Sequence, residues 1–320
     1  MSLGEMSWNI PLWFDIWLAG MAGGAYLVAF LADRYSGGAH KNLFRLAVYT
    51  GVPLAIIGVL LLVIDLGTPI WFWHLFTSFL PVAVMSMGTW TLVAFLIIAF
   101  IMMILWVIEG DATRSTGAYS SGMPGMAQRA SGFLGWINLI FAVLLITYPG
   151  ALLAATSQPI WSNTLLVPAL FVASAAATGV ALLILMAIVM NAVNNSSSSA
   201  LNSTVKWLFG SAGWQISRDT IVQLSKALLG IIVVEALVLV GYIIWLGVTG
   251  TSGSEALSLL ATGTLAIPFW IVMVGIGLIV PLVLLLANRE KATLIVMTSA
   301  SCVLLGGLAL RAIMIVGGQL

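Results

Sequence analysis

Charge is scarce in this chain. Of its 320 residues, 7% are Asp, Glu, Lys or Arg and 62% are hydrophobic. A soluble core cannot absorb that ratio, because too little polar surface would remain to cover it. Cysteine is limited to Cys302, inside an apolar run. That excludes an internal disulfide framework and an iron–sulfur cluster held by thiolates of this chain. Histidine is limited to His40 and His74. A membrane b-type haem commonly needs two axial histidines facing each other within the bilayer, and these two fall in connections on opposite sides of the membrane. No His/Cys set has metal-ligand spacing and no glycine-rich phosphate loop follows a strand pattern, so neither a metal nor a haem is expected. The net charge of +1 gives no field for nucleic acid. If the chain handles electrons, it does so through a bound ligand and a partner.

What is present is a series of apolar runs, each long enough to cross about 30 Å of hydrocarbon. Eight spans are expected, at roughly 12–34, 45–66, 82–108, 132–156, 165–193, 221–249, 264–287 and 292–316, all helical because lipid offers the backbone no other partner. The expected fold is therefore an all-α polytopic bundle, a single integral membrane domain over 1–320. The first 12 residues carry Glu5 and no Lys or Arg, so no cleaved signal peptide is expected and the first span is kept. Ten of the eleven basic residues fall in alternate connections: Arg34, Lys41 and Arg45; Arg114 and Arg129; Lys206, Arg218 and Lys226; Arg289 and Lys291. By the positive-inside rule that side is cytoplasmic, both termini point outward, and the location is the cell membrane. Within the longest connection, 194–220, Leu201 to Ile216 reads either as a short interfacial helix or as a plain linker with anchoring tryptophans. On the outer side Trp71, Trp73 and Trp161 fit an aromatic belt.

Against this apolar background each ionisable group in a span is a candidate for function. The stretch Asp65-Leu-Gly-Thr-Pro69-Ile-Trp-Phe-Trp-His74 puts an acid at the outer end of the second span, with His74 in the loop beyond. Asp15 lies near the outer start of the first span, Tyr148 in the fourth just before Pro149-Gly150, and Arg311 in the eighth. Counted along ideal helices, these groups share the outer leaflet. One reading is an ion pair, Asp65 or Asp15 with Arg311, that only fixes packing. The other is a site for a ligand that exchanges protons. Glu235 lies near the midplane of the sixth span, where a carboxyl is either neutral or part of a proton route shared with Arg311. Gly20, Gly23 and Gly24 of the first span either pack helices closely or leave room for a planar ligand. Pro53, Pro149, Pro168, Pro268 and Pro281 are candidate kinks.

Taken in order, these motifs resemble the membrane subunits of polysulfide reductase and its relatives, the NrfD-type quinone-binding anchors. Leu18-Ala-Gly-Met-Ala-Gly-Gly-Ala-Tyr26 is similar to the family's first-helix glycine run, and Leu62-Val-Ile-Asp65-Leu-Gly67-Thr-Pro69 with Trp73-His74 to its acidic Leu-Gly-x-Pro motif. Thr147-Tyr148-Pro-Gly150 with Pro159-Ile-Trp161 is similar to its fourth helix, and Gly306-Gly-Leu-Ala-Leu-Arg311 with Gly317-Gly-Gln319 to its last. The chain departs from the family in having Pro149-Gly150 where Thr-Gly is usual, and in lacking the first-helix histidine of some members. The resemblance implies a haem-free bundle that binds a menaquinone-type quinone near the outer face. It also implies a ferredoxin-like iron–sulfur subunit beside that face, serving a molybdopterin catalytic subunit, as in reductases of polysulfide or other sulfur compounds. In that role Tyr148 holds one quinone oxygen and Asp65, with Asp15 or His74, handles the proton at the other. Gly20, Gly23, Gly24 and Arg311 complete the pocket, and Glu235 with Arg311 forms a proton path. A proton-coupled secondary transporter and a purely structural anchor are the alternatives.

Overall fold

The computed structural model describes residues 10–65, 84–115, 123–156, 158, 160–161, 164–194, 215–287 and 292–320. No strand occurs among them. They form α1 (Ile10–Tyr35), α2 (Lys41–Asp65), α3 (Val84–Ser115), α4 (Met123–Ala154), α5 (Leu166–Asn194), α6 (Arg218–Val248), a short α7 (Thr251–Ala261), a π-helix (Pro268–Ile279) running into α8 (Val280–Ala287), and α9 (Thr293–Gly317). Eight of these stretches are long and apolar enough to cross a membrane, the π-helix and α8 together making one. Each coincides with an expected span, and the chain is a multi-pass integral membrane protein. His74, Trp71 and Trp73, and nearly all of the expected interfacial segment at 201–216, lie outside the described residues.

The helices divide into two groups. In the first, α1 packs on α2, α2 on α3, α3 on α4 and α4 back on α1. In the second, α5 packs on α6, α6 on α8, the π-helix on α9 and α9 on α5. The groups join where α1 and α4 meet α5 and where α1 meets α9. This makes α1 and α5 the axial helices: 72% of the apolar window of each is buried, against 28% for α6. Small residues allow the crossing. A Cβ at Gly24 would be driven into the Ala175 carbonyl of α5, and one at Gly179 into the backbone of Gly24 and Ala25. Gly277 of the π-helix and Gly306 of α9 meet backbone to backbone in the same way. Without a hydrophobic force between helices in lipid, such close approach is what holds them together. The outward flanks carry Ile97, Phe100 and Ile104 of α3 and Leu237 and Ile244 of α6, all exposed, as lipid requires.

Three local features were not expected. The stretch after Pro268 is π-helical rather than a kinked α-helix; Pro268 opens it, where its missing N–H costs nothing. Helix α7 fills the connection before it and buries Gly253, Ala256 and Leu260 on one stripe. Trp161, expected in the interfacial belt, is 3% exposed; its Nε1 donates to the Met314 carbonyl at 2.6 Å, clamping the end of α9. The α1–α2 turn uses Gly37 (φ 65°) and Gly38 (φ 95°), left-handed positions where a side chain would be strained. Gly38 N–H closes α1 on the Asp33 carbonyl at 2.8 Å.

Candidate functional site

Helices α1 to α4 each contribute one residue to a polar spot in the first group. Asp15, on the second turn of α1, is 1% exposed. It lies over Gly58 of α2, where a Cβ would come within 2.8 Å of Asp15 Oδ1. Tyr148 stands six residues before the end of α4, its ring flat on Gly88 of α3, where a Cβ would fall 2.5 Å from Cε2. Tyr148 lies within electrostatic reach of Asp15. Two glycines thus provide the depth in which a carboxyl and a phenol lie close together.

Asp65 is not at this level. It closes α2 seven residues beyond Gly58, which at about 1.5 Å per residue puts its backbone about 10 Å further out. The shared depth expected of Asp15 and Asp65 is therefore corrected: Asp15 lies against Gly58, about two turns in from Asp65. The side chain of Asp65 and all of His74 lie outside what is described.

A second constellation sits in the other group. Arg311 of α9 is 1% exposed. Its Nη1 donates to the Gly307 carbonyl at 2.6 Å and to Ser174 Oγ of α5 at 3.2 Å, and its guanidinium lies 5.9 Å from the Phe171 ring centroid. Ser174 also bonds the Glu235 carboxyl of α6, which feels the Arg311 charge. Sequence reasoning offered Asp65 or Asp15 as the partner of Arg311; its charge partner in the fold is Glu235, with Ser174 between them. Ser174 carried no signal in the sequence, since one serine in an apolar helix is commonplace. The same holds for Gly58 and Gly88.

The glycine run of α1 divides between these two places. Gly20 receives Arg311, whose Nη2 would be 2.7 Å from a Cβ there. Gly23 faces α4, with Ile146 at 2.7 Å and the Ala142 carbonyl at 3.2 Å from the same construction, and Gly24 faces α5. The expected room for a planar ligand at Gly23 and Gly24 is filled by protein, so their role is helix packing. On the face of α1 shared with Gly20 and Gly24, the Nε1 atoms of Trp13 and Trp17 are buried and meet no acceptor among the described residues. Buried donors of this kind call for a ligand or water. Cys302 is partly buried and unpaired, and no group of three metal-ligating side chains occurs among the described residues.

Chemically, a phenol and a carboxyl within a membrane bundle suit a neutral, flat molecule with two oxygens that gain and lose protons. The phenol donates to one oxygen and the carboxyl exchanges a proton with the other. A quinone fits that donor set.

Comparison with known proteins gives a family. The family described as "Polysulphide reductase, NrfD" matches residues 2–320. The chain is 25% identical to Protein NrfD of Escherichia coli (strain K12), covering 99% of this chain and 96% of that protein. It is 26% identical to the C subunit of the polysulfide reductase of Wolinella succinogenes, over 98% of this chain and 94% of that subunit. It is also 26% identical to a Protein NrfD homolog of Haemophilus influenzae, over 87% and 83%.

Proposed function

The chain belongs to the polysulphide reductase NrfD family, and from that premise we propose that it is the quinone-reactive membrane subunit of a respiratory oxidoreductase. The observation that carries this reading is the meeting of Asp15 and Tyr148 over Gly58 and Gly88. A quinone, menaquinone-type by family resemblance, supplies a two-electron, two-proton couple when bound. Tyr148 Oη donates a hydrogen bond to one ring oxygen and fixes the ring's orientation. Asp15 takes a proton when quinol is oxidised and returns one in the reverse direction. Burial keeps bulk water from the Asp15 carboxyl, which is 1% exposed. Asp65, further out along α2, passes protons between Asp15 and the outer surface, with His74 of the following segment as its partner in that role. Electrons leave to an iron–sulfur partner docked on the outer face, which serves a molybdopterin catalytic subunit. This chain is thus not catalytic toward the soluble substrate by itself.

Glu235, Ser174 and Arg311 extend the proposal to proton coupling. A midplane carboxyl tied through a serine to a buried guanidinium can change protonation while its counter-charge stays fixed. In proteoliposomes, Glu235→Gln is expected to diminish the potential or pH change per quinol consumed.

The test of the site is Tyr148→Phe and Asp15→Asn in the assembled complex. Quinol-dependent turnover is expected to fall about 100-fold, within the range for a lost acid–base group. Turnover of the catalytic subunit with an artificial dye should be retained. Full quinol activity in both variants overturns the assignment. Quinone extracted from the purified protein separates this reading from a transporter or a bare anchor.

A further inference from the structure

A cavity of about 480 Å³ opens at the end of the first helix group that carries Arg34, Lys41 and Arg45, far from Asp15 and Tyr148. Its lining comes from all four helices of that group: Phe30, Asp33 and Arg34 of α1, Lys41 and Phe44 of α2, Trp106 of α3, and Ser131 and Gly132 of α4, with Gly37 and Gly38 of the turn. The volume is in the range of small-ligand sites, roughly 300–1,000 Å³. By the positive-inside rule it lies at inner-leaflet headgroup level.

Its chemistry is divided. One side is cationic. The Arg34 guanidinium is held 5.8 Å from the Phe30 ring centroid and 5.5 Å from that of Trp136. Lys41 begins α2, a helix of 25 residues, so its ammonium and the free N–H groups of the first turn point to the same end of the helix. Together these suit a phosphate. The other side is anionic and aromatic. Asp33 Oδ1 is buried and has no hydrogen-bond donor among the described residues, although Lys41, Arg34 and His40 all act on its charge. Phe44 and Trp106 meet edge to face at 5.4 Å beside it. The Trp106 ring already carries the Arg45 guanidinium at 5.6 Å, so it is the buried carboxylate oxygen without a donor that suits an ammonium.

A plain anion would satisfy the cations and be repelled by Asp33; a plain cation would meet the reverse. We propose that this cavity binds a phosphoethanolamine group, with the phosphate at Arg34, Lys41 and the α2 N-terminus and the ammonium on Asp33 Oδ1. At this depth the group comes either from an aminophospholipid of the inner leaflet or from the free zwitterion. A phosphocholine group is rejected, because its quaternary nitrogen has no N–H to give Asp33.

The experiment is lipid retention by native mass spectrometry of the purified full-length protein, after exchange into equal mixtures of phosphatidylethanolamine, phosphatidylcholine and phosphatidylglycerol. Phosphatidylethanolamine is expected to be retained about tenfold over the other two, the equivalent of one charge-assisted hydrogen bond. Asp33→Asn should abolish its preference over phosphatidylcholine. Arg34→Gln with Lys41→Gln should lower retention of all three. Melting of each variant in detergent controls for folding, and Tyr35→Ala, at an exposed neighbouring position, should change nothing. Release of the bound lipid by soluble phosphoethanolamine as well as by lipid assigns the site to the free molecule; release by lipid alone assigns it to the bilayer. Equal retention of the three lipids, or a preference that survives both sets of substitutions, overturns the proposal.

Discussion

Tyr148 of α4 and Asp15 of α1 lie within electrostatic reach of one another, each set against a glycine of a further helix, Gly88 at the ring and Gly58 at the carboxylate. The polar pair therefore depends on two residues that carry no chemistry. A methyl at position 88 would stand 2.5 Å from Tyr148 Cε2 and 3.1 Å from Cζ, so the ring must shift and carry its hydroxyl with it. Displacement of about 1 Å can cost about 100-fold in rate. Gly88→Ala should thus depress quinol turnover between about tenfold and 100-fold while dye-linked turnover stays constant. Gly230→Ala on α6, where nothing lies within 4 Å, is the control. A Gly88→Ala enzyme with normal quinol kinetics would show that the seat of the ring has no functional weight.

The Arg311–Ser174–Glu235 set makes an energetic prediction separate from any catalytic one. Arg311 is 1% and Glu235 5% exposed, so removing one leaves the other's charge stranded. Arg311→Leu should destabilise the protein by about 3–5 kcal/mol, the usual cost of breaking a buried pair from one side. Adding Glu235→Leu should recover most of that loss, because an apolar pair in apolar surroundings needs no counter-charge. Arg311→Lys should not rescue, since a shorter side chain ending in an ammonium loses the planar guanidinium that lies against Phe171 and seats its Nη2 on Gly20. Unfolding in mixed micelles reads wild type, the two single leucine variants, the double and Arg311→Lys; additive effects of the two leucines would refute the coupling.

The α1–α5 crossing predicts a sharper loss. Gly24 and Gly179 each face backbone of the opposite helix at a spacing that admits no Cβ. Gly24→Val must pry apart the two most buried helices, and overpacking of this kind costs about 1–3 kcal/mol or more. The expected outcome is a lower melting temperature and poor assembly, whereas Gly37→Ala, in a turn with nothing within 4 Å but φ of 65°, should cost only backbone strain. Equal melting of Gly24→Val and wild type would contradict the crossing.

What was legible in the sequence and what was not follows from the range of the forces. Apolar runs and alternating basic connections are local and redundant, so all eight spans could be placed to within a few residues. Depth along a span was read less well, because it depends on how neighbouring helices are staggered: Asp15 of α1 lies over Gly58 of α2 rather than level with Asp65. Pairing was not legible at all. Whether Arg311 meets Asp15, Asp65 or Glu235 is decided by how α9 lies between α1, α5 and α6, which no spacing encodes. The glycines show both outcomes. Gly24 packs helices, as small residues in spans usually do. Gly58 and Gly88, which make room at the site, are single glycines in apolar runs and carry no distinguishing pattern.

Trp161 provides the last prediction. Its Nε1 reaches the Met314 carbonyl at 2.6 Å, one of the last four carbonyls of α9, which have no partner within the helix. A Cβ at Gly318 would collide with the indole ring, so the chain end is folded over that ring. Trp161→Phe keeps most of the apolar surface but removes the donor and leaves a buried acceptor unpaired, which costs about 1–3 kcal/mol. The loss should be local. Amide exchange is expected to quicken from Ile315 to Leu320 while α3, which belongs to the other helix group, is unchanged. A uniform rise in exchange, or none, would mean that the tryptophan does not anchor the end of α9.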